Sequence, residues 1–449
     1  MGQSGVSLRE KLKFIGVAGV GFFADGYLNL SIGLVVPMLG YIYFADVGGS
    51  VPSGKGDIIK GTLAIGMICG QIVFGVLGDT LGRHRVYGKE LLFTIFGTLM
   101  CILLPWRGFS HNDIVAWMAV WRVVSGFGVG GDYPMSSAYA AEKNPLGTRA
   151  KMVLTVFSNF GLGSFASSIV LIVLLAAFKG AIEHNIKHLE WVWRLLMGIV
   201  VASTSRGLKE QFRDFRQYFA VRRHALTLFA VSAVWFLYDI AYYGINLNQS
   251  VILSRIGYGT GATPYLTLWH TAVGNVIVQV AGYLPGFYVG IFIPDWIGRK
   301  RQQFWCSVAV SITYAIWAGI THLGNTPAMM ALFTLSQFIL NAGPNVTTFL
   351  LPAELFPTRV RGTAHGIAAA SGKAGATLTA FAFGRVTNAV GVQGVLGLFS
   401  GVMLLAALCT LLIPETKNMS LQDLEDERQY GGEQQSSCEE IEVQVTKTQ

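Results

Sequence analysis

Long apolar runs, separated by short polar and basic stretches, fill most of the chain. A helix needs about 20 mostly apolar residues to cross the hydrocarbon core of a bilayer. The apolar runs predict membrane-spanning helices at 14–44, 58–78, 87–105, 113–141, 151–178, 224–250, 264–293, 303–321, 327–355, 362–388 and 391–413. A further run at 191–203 has only about 13 residues, too few to cross unaided, and it contains Arg194.

Composition supports a polytopic membrane protein that is entirely α-helical. Of the 449 residues, 52% are hydrophobic and only 13% are charged, which is too few charges to cover a soluble globule of this size. The net charge of +8 comes from basic residues clustered between alternate spans, not along one face. This pattern follows the positive-inside rule, so we expect both termini in the cytoplasm and no nucleic-acid partner.

Two short motifs each occur once in the first half of the chain and once in the second. The first is Asp-x-x-Gly-Arg-x-Arg, with Asp79, Arg83 and Arg85 in one copy and Asp295, Arg299 and Arg301 in the other. The second places Glu142 before Arg149, and Glu354 before Arg359. Duplicated loops predict two pseudo-symmetric six-helix halves. Their carboxylates and guanidinium groups could form a gate that breaks when the halves rock, or could serve only as topology signals.

Among the ionisable residues inside predicted spans, four lie in four different spans and at appreciable depth. They are Asp25, Asp132, Asp239 and Lys373. A charge at such depth is costly and usually faces a polar cavity, so the four residues predict a shared cavity. The competing interpretation, that ion pairs only fix the packing of helices, accounts for one pair more easily than for all four.

Spacing in two spans indicates a site for an anion. Trp235, Asp239 and Tyr243 follow one another at intervals of four, so a helix places them on one face. Asn345 lies in the polar, helix-breaking stretch GPNVTT, and Lys373 supplies a full positive charge. A lysine, neutral donors and one titratable acid suit an anion that is already partly protonated. No arrangement of residues suggests an enzyme or a metal site.

Several segments resemble the phosphate:proton symporters of fungi and plants, a family within the major facilitator superfamily. They are GGDYPMSS (130–137), WFLYDIAYYG (235–244), GPNVTTFLLPAELFPTRVRG (343–362), SGKAGA (371–376) and PETKNMSLQDL (414–424). The resemblance covers most of the chain. It implies the major facilitator fold, import of inorganic phosphate by alternating access in the plasma membrane, and protons as coupling ions with no other cofactor.

The resemblance also assigns roles to individual residues. It implies that substrate contacts come from Tyr133, Trp235, Asp239, Tyr243, Asn345 and Lys373. It implies that the proton path includes Asp25, Asp132 and Asp239. A protonated Asp239 can donate a hydrogen bond to phosphate, whereas its ionised form repels phosphate and favours release.

The chain departs from the family pattern at two places. Phe160 occupies the position of a substrate-binding glutamine, which keeps an organic phosphate such as a glycerophosphodiester, or a sugar, open as the cargo. The sixth span is shortened, because Val201 leads almost at once into a basic stretch. A receptor that binds phosphate without transporting it is therefore a further alternative.

The predicted organisation is a helical half at 1–203, a short cytoplasmic linker at 204–223, a second helical half at 224–422 and a disordered acidic tail at 423–449. The sequence leaves the oligomeric state open.

Overall fold

The computed structural model describes residues 8–82, 86, 89–105, 108–143, 146–199, 222–358 and 360–417. Within these ranges the chain is built from helices, short turns and loops, without β-strands. The α-helices, in chain order, are α1 Leu8–Tyr43, α2 Ser53–Leu81, α3 Glu90–Ile102, α4 His111–Lys143, α5 Leu146–Phe157, α6 Asn159–Ala177, α7 Lys179–His184, α8 Leu189–Gly198, α9 Arg222–Asn246, α10 Gln249–Arg255, α11 Pro264–Val278, α12 Leu284–Ile297, α13 Arg299–Ile320, α14 Thr326–Ala342, α15 Pro344–Leu355 and α16 Arg361–Thr410.

Each of the eleven predicted spans falls on a helix or on a pair of consecutive helices. In the described residues, eight helical stretches are long and apolar enough to cross a membrane, and α3 is a shorter apolar helix. Helix α16 carries the last two predicted spans, and the chain leaves helical geometry between them at Gly391, where φ is 69°. The span predicted at 327–355 is divided into α14 and α15, because Gly343 is non-helical and Pro344 begins the next helix.

The short sixth span is represented by α8, which has ten residues. A helix of that length rises about 15 Å, half the thickness of the hydrocarbon core. The Arg194 side chain donates to the backbone carbonyl oxygens of Ile102 and Leu104, at the end of α3, and to Glu190. Arg194 thus stabilises carbonyl groups that have no partner within α3. Residues 200–221 lie outside the described residues, so the shortened span stays a prediction.

The helices form two groups, an N-terminal half (α1–α8) and a C-terminal half (α9–α16), which pack along a common seam. At the seam α2 lies against α16. A side-chain carbon at Gly75 would come within 2.7 Å of the Gly362 carbonyl oxygen, so glycine is needed for this close approach. The predicted domain boundaries stay predictions, and most of the linker and all of the tail lie outside the described residues.

Candidate anion and proton site

Lys373 is the centre of a buried charged cluster between α9 and α16. Its Nζ lies 3.1 Å from Asp239 Oδ2 and donates to the Tyr243 hydroxyl oxygen at 2.8 Å. The same ammonium lies 5.1 Å from the ring centroid of Tyr133 and 4.3 Å from that of Tyr243. All four side chains are at most 3% exposed. The carboxylate and the two aromatic faces stabilise the buried ammonium group, which becomes available to an anion when the charge of Asp239 is removed.

The four-residue spacing on α9 positions this cluster. Asp239 and Tyr243 contact Lys373, and Trp235, one turn before them, lies against α16 at Gly372. A side-chain carbon at Gly372 would overlap the Trp235 indole, so only glycine lets the indole reach the backbone beside Lys373. The structure therefore brings together the predicted substrate residues of α9 and α16.

Residues of the N-terminal half reach the same cluster from across the seam. The Tyr133 ring lies 6.3 Å from that of Trp235, and the Tyr133 side chain interacts electrostatically with the Asp25 carboxyl group. Asp25 also accepts from the Asn29 amide and interacts electrostatically with Lys373 and Asp239. Asp25, Asp239 and Lys373 thus share one polar region between the halves.

Asp132 lies deeper inside the N-terminal half. Its Oδ1 accepts from the Ser136 hydroxyl at 2.8 Å, and its carboxyl group interacts electrostatically with both Asp25 and Glu90. Glu90 is fully buried at the start of α3 and was not singled out from the sequence. In the sequence Glu90 directly follows the basic stretch 83–89, so neither its charge nor its position indicates that it is buried. The three acids form a series that leads away from Lys373.

Asn345 occupies a different position from the other predicted substrate residues. Its Nδ2 donates to Asn341 Oδ1 at 2.7 Å, and the side chain is 6% exposed. Phe349, one turn further along α15, packs near Tyr133 with ring centroids 6.1 Å apart. Asn345 is therefore one helical turn from the aromatic groups beside the cluster, and its role in binding stays a prediction.

An aromatic layer lies next to the cluster, on the side of the duplicated loops. Phe157 of α5 and Phe349 of α15 stack across the seam with centroids 4.3 Å apart and an angle of 7°. Phe160 stacks on Phe157 at 6.0 Å and lies 6.4 Å from Phe287. His365 also packs on Phe349, and its Nε2 lies 3.1 Å from the Phe349 carbonyl oxygen. These contacts close the seam on this side.

The end of the bundle that carries Asp79 and Asp295 is called the motif side here. Asp79 accepts hydrogen bonds from the backbone N–H groups of Gly362 and Thr363, at the start of α16. A helix N-terminus favours a carboxylate because its first N–H groups lack partners within the helix. This bond joins the two halves, a function that the motif alone did not specify.

Two ion pairs add to the contact between the halves on the motif side. Arg361 is fully buried, and its Nη1 lies 3.2 Å from Glu142 Oε1. Lys151 Nζ lies 3.2 Å from Asp295 Oδ2. Lys151 and Arg361 lie two residues after Arg149 and Arg359 of the duplicated motif, and the motif does not indicate their partners.

Other predicted gating residues have different surroundings. Arg299 binds Glu354 within the C-terminal half, with N···O distances of 3.0 and 3.2 Å. Arg149, 7% exposed, interacts electrostatically with Glu354 across the seam. Arg301 is exposed. The remaining predicted members, which lie outside the described residues, are Arg83, Arg85 and Arg359.

A cavity of about 290 Å³ lies between the halves at the other end of the bundle, which is called the far side here. Lys60 of α2 projects into it and donates to Asn248 Oδ1 across the seam at 2.8 Å. The Ser250 hydroxyl donates to the Gly33 carbonyl oxygen at 3.0 Å, also between the halves. Both of these hydrogen bonds end on neutral acceptors.

Comparison with known proteins agrees with this architecture. Residues 21–380 match the profile of the Major Facilitator Superfamily. The solved structure of the proton:xylose symporter XylE bound to 6-bromo-6-deoxy-D-glucose aligns with a TM-score of 0.67 at 20% identity, covering 93% of this chain and 98% of XylE. A likeness at that identity concerns the fold alone.

Curated relatives are closer in sequence. The chain is 32% identical to the inorganic phosphate transporter PHO84 of Saccharomyces cerevisiae, over 93% of this chain and 84% of the relative. It is 32% identical to the repressible high-affinity phosphate permease of Neurospora crassa (95% and 88%) and to the low affinity inorganic phosphate transporter 1 of Petunia hybrida (94% and 93%). These alignments span 504 to 508 positions, more than the 449 residues of this chain, so the relatives carry segments that it lacks.

Proposed function

The chain belongs to the major facilitator superfamily and, within it, to the inorganic phosphate transporters of fungi and plants, and we propose that it imports inorganic phosphate together with protons. It is accordingly a multi-pass membrane transporter and not an enzyme. The proposal on substrate rests on the phosphate transport for which its relatives are named and on the buried cation at Lys373.

The contact between Lys373 and Asp239 is the observation that carries proton coupling. While Asp239 is ionised, it neutralises the ammonium group 3.1 Å away, and phosphate has to compete with it. A proton on Asp239 removes that competition and leaves Lys373 with a net positive charge for the anion. Because coupling between two ligands is reciprocal, bound phosphate in turn favours the protonated form of Asp239. Proton and phosphate therefore bind together.

The series of buried acids supports a route by which the proton leaves. Asp25 interacts with Asp239 and Lys373, and Asp132 interacts with Asp25 and Glu90. A proton lost from Asp239 can thus pass to Asp25, then to Asp132 and Glu90, toward the motif side. Buried ionisable groups in such a sequence are typical of proton relays in membrane proteins.

Alternating access follows from the unequal closure of the two ends. The motif side is closed by the Asp79 cap, two ion pairs and the Phe157–Phe349 stack, whereas the far side holds a cavity. With both termini in the cytoplasm, the cavity faces the cell exterior in the plasma membrane. Transport then requires the motif-side contacts to break and the far side to close.

Uptake by purified protein in lipid vesicles tests the proposal. We expect uptake of radiolabelled phosphate to rise when the outside is made more acidic than the inside. Asp239→Asn should abolish the response to the pH gradient, and Lys373→Met should abolish uptake, because no cation remains to bind phosphate. Lys187→Met, which changes an exposed lysine, serves as the matched control.

Other outcomes would replace the proposal. Uptake that does not depend on the pH gradient would contradict symport. Strong competition by a glycerophosphodiester or by glucose would change the substrate class. Phosphate binding without uptake, in protein shown to be correctly inserted, would identify a receptor.

A further inference from the structure

We propose that the far-side cavity is a second oxyanion site, in which Lys60 holds phosphate before it reaches Lys373. The inference rests on the proposed transport of phosphate and adds a separate binding step to it. Lys60 is 8% exposed, lines the cavity and lies in the N-terminal half, whereas Lys373 lies in the C-terminal half. The two lysines are therefore separate groups, Lys60 at the far-side cavity and Lys373 in the central cluster.

The charges around the cavity favour an anion. Its lining contains two cations, Lys60 and Arg255, and one acid, Asp57. Asp57 interacts electrostatically with Lys60 and with Arg385, so its charge is offset within the protein. A cleft with surplus positive charge and low-dielectric walls raises the local concentration of anions.

Lys60 has a partner that an anion can replace. Its ammonium donates to the neutral Asn248 side chain, whereas a phosphate oxygen would accept the same hydrogen bond and carry a negative charge that attracts the ammonium in addition. The Lys60–Asn248 bond also joins the two halves. An anion that takes Lys60 from Asn248 therefore loosens the far side at the moment when substrate arrives.

The space beyond the cavity explains why an anion stops there. Leu247 lines both the cavity and a smaller chamber that reaches Tyr243. The chamber has a volume of only about 10 Å³, which is barely enough for one water molecule. Phosphate fits in the cavity of about 290 Å³ but cannot pass Leu247 until the halves move. The structure thus separates a waiting position at Lys60 from the central position at Lys373.

Kinetics of phosphate uptake by the full chain in vesicles test the second site. Lys60→Met should raise the KM for phosphate about tenfold at low ionic strength, since steering by a charged cleft accounts for at least that factor. The rate of uptake by Lys60→Met at saturating phosphate should stay close to that of the unaltered protein, because Lys373 and Asp239 are intact. Lys60→Arg keeps the charge, so its KM should stay close to that of the unaltered protein. Lys55→Met, on the same helix but outside the cavity lining, should leave KM unchanged.

Asn248→Ala separates anion binding from a purely mechanical role of Lys60. It breaks the bond between the halves but keeps the charge in the cavity, so we expect KM to stay within about twofold, well below the steering effect. Equal KM increases in Lys60→Met and Asn248→Ala, or no change in Lys60→Met, would overturn the second site while leaving phosphate transport intact. If the unaltered protein takes up no phosphate, the proposed function fails instead, and that result is seen before any variant is compared.

Discussion

The two ends of the helical bundle are closed by different kinds of contact. On the motif side the halves are joined by charged groups, namely the Asp79 cap on α16 and the Arg361–Glu142 and Lys151–Asp295 pairs. On the far side the described contacts between the halves include two hydrogen bonds to neutral acceptors, Lys60 to Asn248 and Ser250 to the Gly33 carbonyl oxygen, and the electrostatic interaction of Asp57 with Arg385. The far side also retains a cavity, so it is the end that opens at lower cost.

This difference explains how a carrier can bind its substrate from one side of the membrane. Pairs in which both groups are charged attract each other more strongly than a charged group attracts a neutral one, and the Phe157–Phe349 stack adds dispersion contacts on the motif side. A ligand shifts such an equilibrium only by its preference for one state. Phosphate therefore has to contribute free energy, through Lys373 and the protonation of Asp239, before the motif side opens.

The largest expected effect is the loss of Arg361. Its buried guanidinium donates to Glu142 across the seam, and a hydrogen bond between charged groups contributes roughly 1.5–3 kcal/mol. Arg361→Met should therefore favour the state that is open on the motif side by more than about tenfold. The measurement is the reactivity of a cysteine at Thr363 in protein without native cysteines, with an impermeant thiol reagent applied from the motif side.

Arg301→Met is the matched comparison for Arg361, because it removes the same charge from an exposed position on the motif side. We expect it to change the reactivity of the cysteine by less than about twofold, as most surface substitutions do. Equal effects of the two variants would show that charge near the loop, and not the buried contact, keeps this side closed.

A smaller effect is expected from Asp79, and it compares the two copies of the motif. Asp79 is 3% exposed and caps α16, whereas Asp295 has 29% of its side chain exposed and pairs with a half-exposed lysine. Asp79→Asn should cost about 1 kcal/mol or somewhat more. Asp295→Asn should cost at most about 0.5 kcal/mol, as exposed pairs do. The same cysteine assay measures both, and a larger effect at Asp295 would contradict the assigned asymmetry.

Much of the fold could be read from the sequence because span length and basic loops are local signals. The eleven runs fall on helices, and the spacing of Trp235, Asp239 and Tyr243 placed one face of α9 toward Lys373. Contacts between the halves could not be read in this way. Nothing near Asp79 in the chain indicates that its partners are backbone N–H groups more than 280 residues later.

The sequence did not indicate Glu90 and Lys60 as functional residues, and the physical reason is the same for both. Glu90 and Lys60 lie near the ends of helices, where a charge normally reaches solvent, and only packing shows that both are buried. Asn345 illustrates the opposite case, since a polar patch within a span indicated a substrate contact while the side chain bonds to Asn341. The spacing of residues predicts which side chains share a face of a helix, but the packing of neighbouring helices determines what those side chains contact.

A modest gain in phosphate affinity is expected from Phe160→Gln. Phe160 lines the small chamber together with Tyr243, at the position where the family resemblance implies a substrate-binding glutamine. A glutamine amide would add one neutral hydrogen bond, about 1 kcal/mol, and lower the KM for phosphate by roughly threefold to fivefold. Phe160→Leu, which removes the ring without adding a donor, is the control. A similar KM in both variants would assign the change to space and not to hydrogen bonding.

The smallest effect is expected at Ser250, where a single neutral bond joins the halves on the far side. Ser250→Ala should weaken that closure by about 0.5 kcal/mol, the low end for one hydrogen bond, because the hydroxyl is only partly buried. A cysteine at Ser164, which lines the chamber beyond Leu247, should then react about twofold faster with a reagent applied from the far side. Since Ser250 is remote from the motif-side ion pairs, the cysteine at Thr363 should react at an unchanged rate. A response at Thr363 as large as that at Ser164 would show that the two ends open together, and the unequal closure of the bundle would then not determine the order of opening.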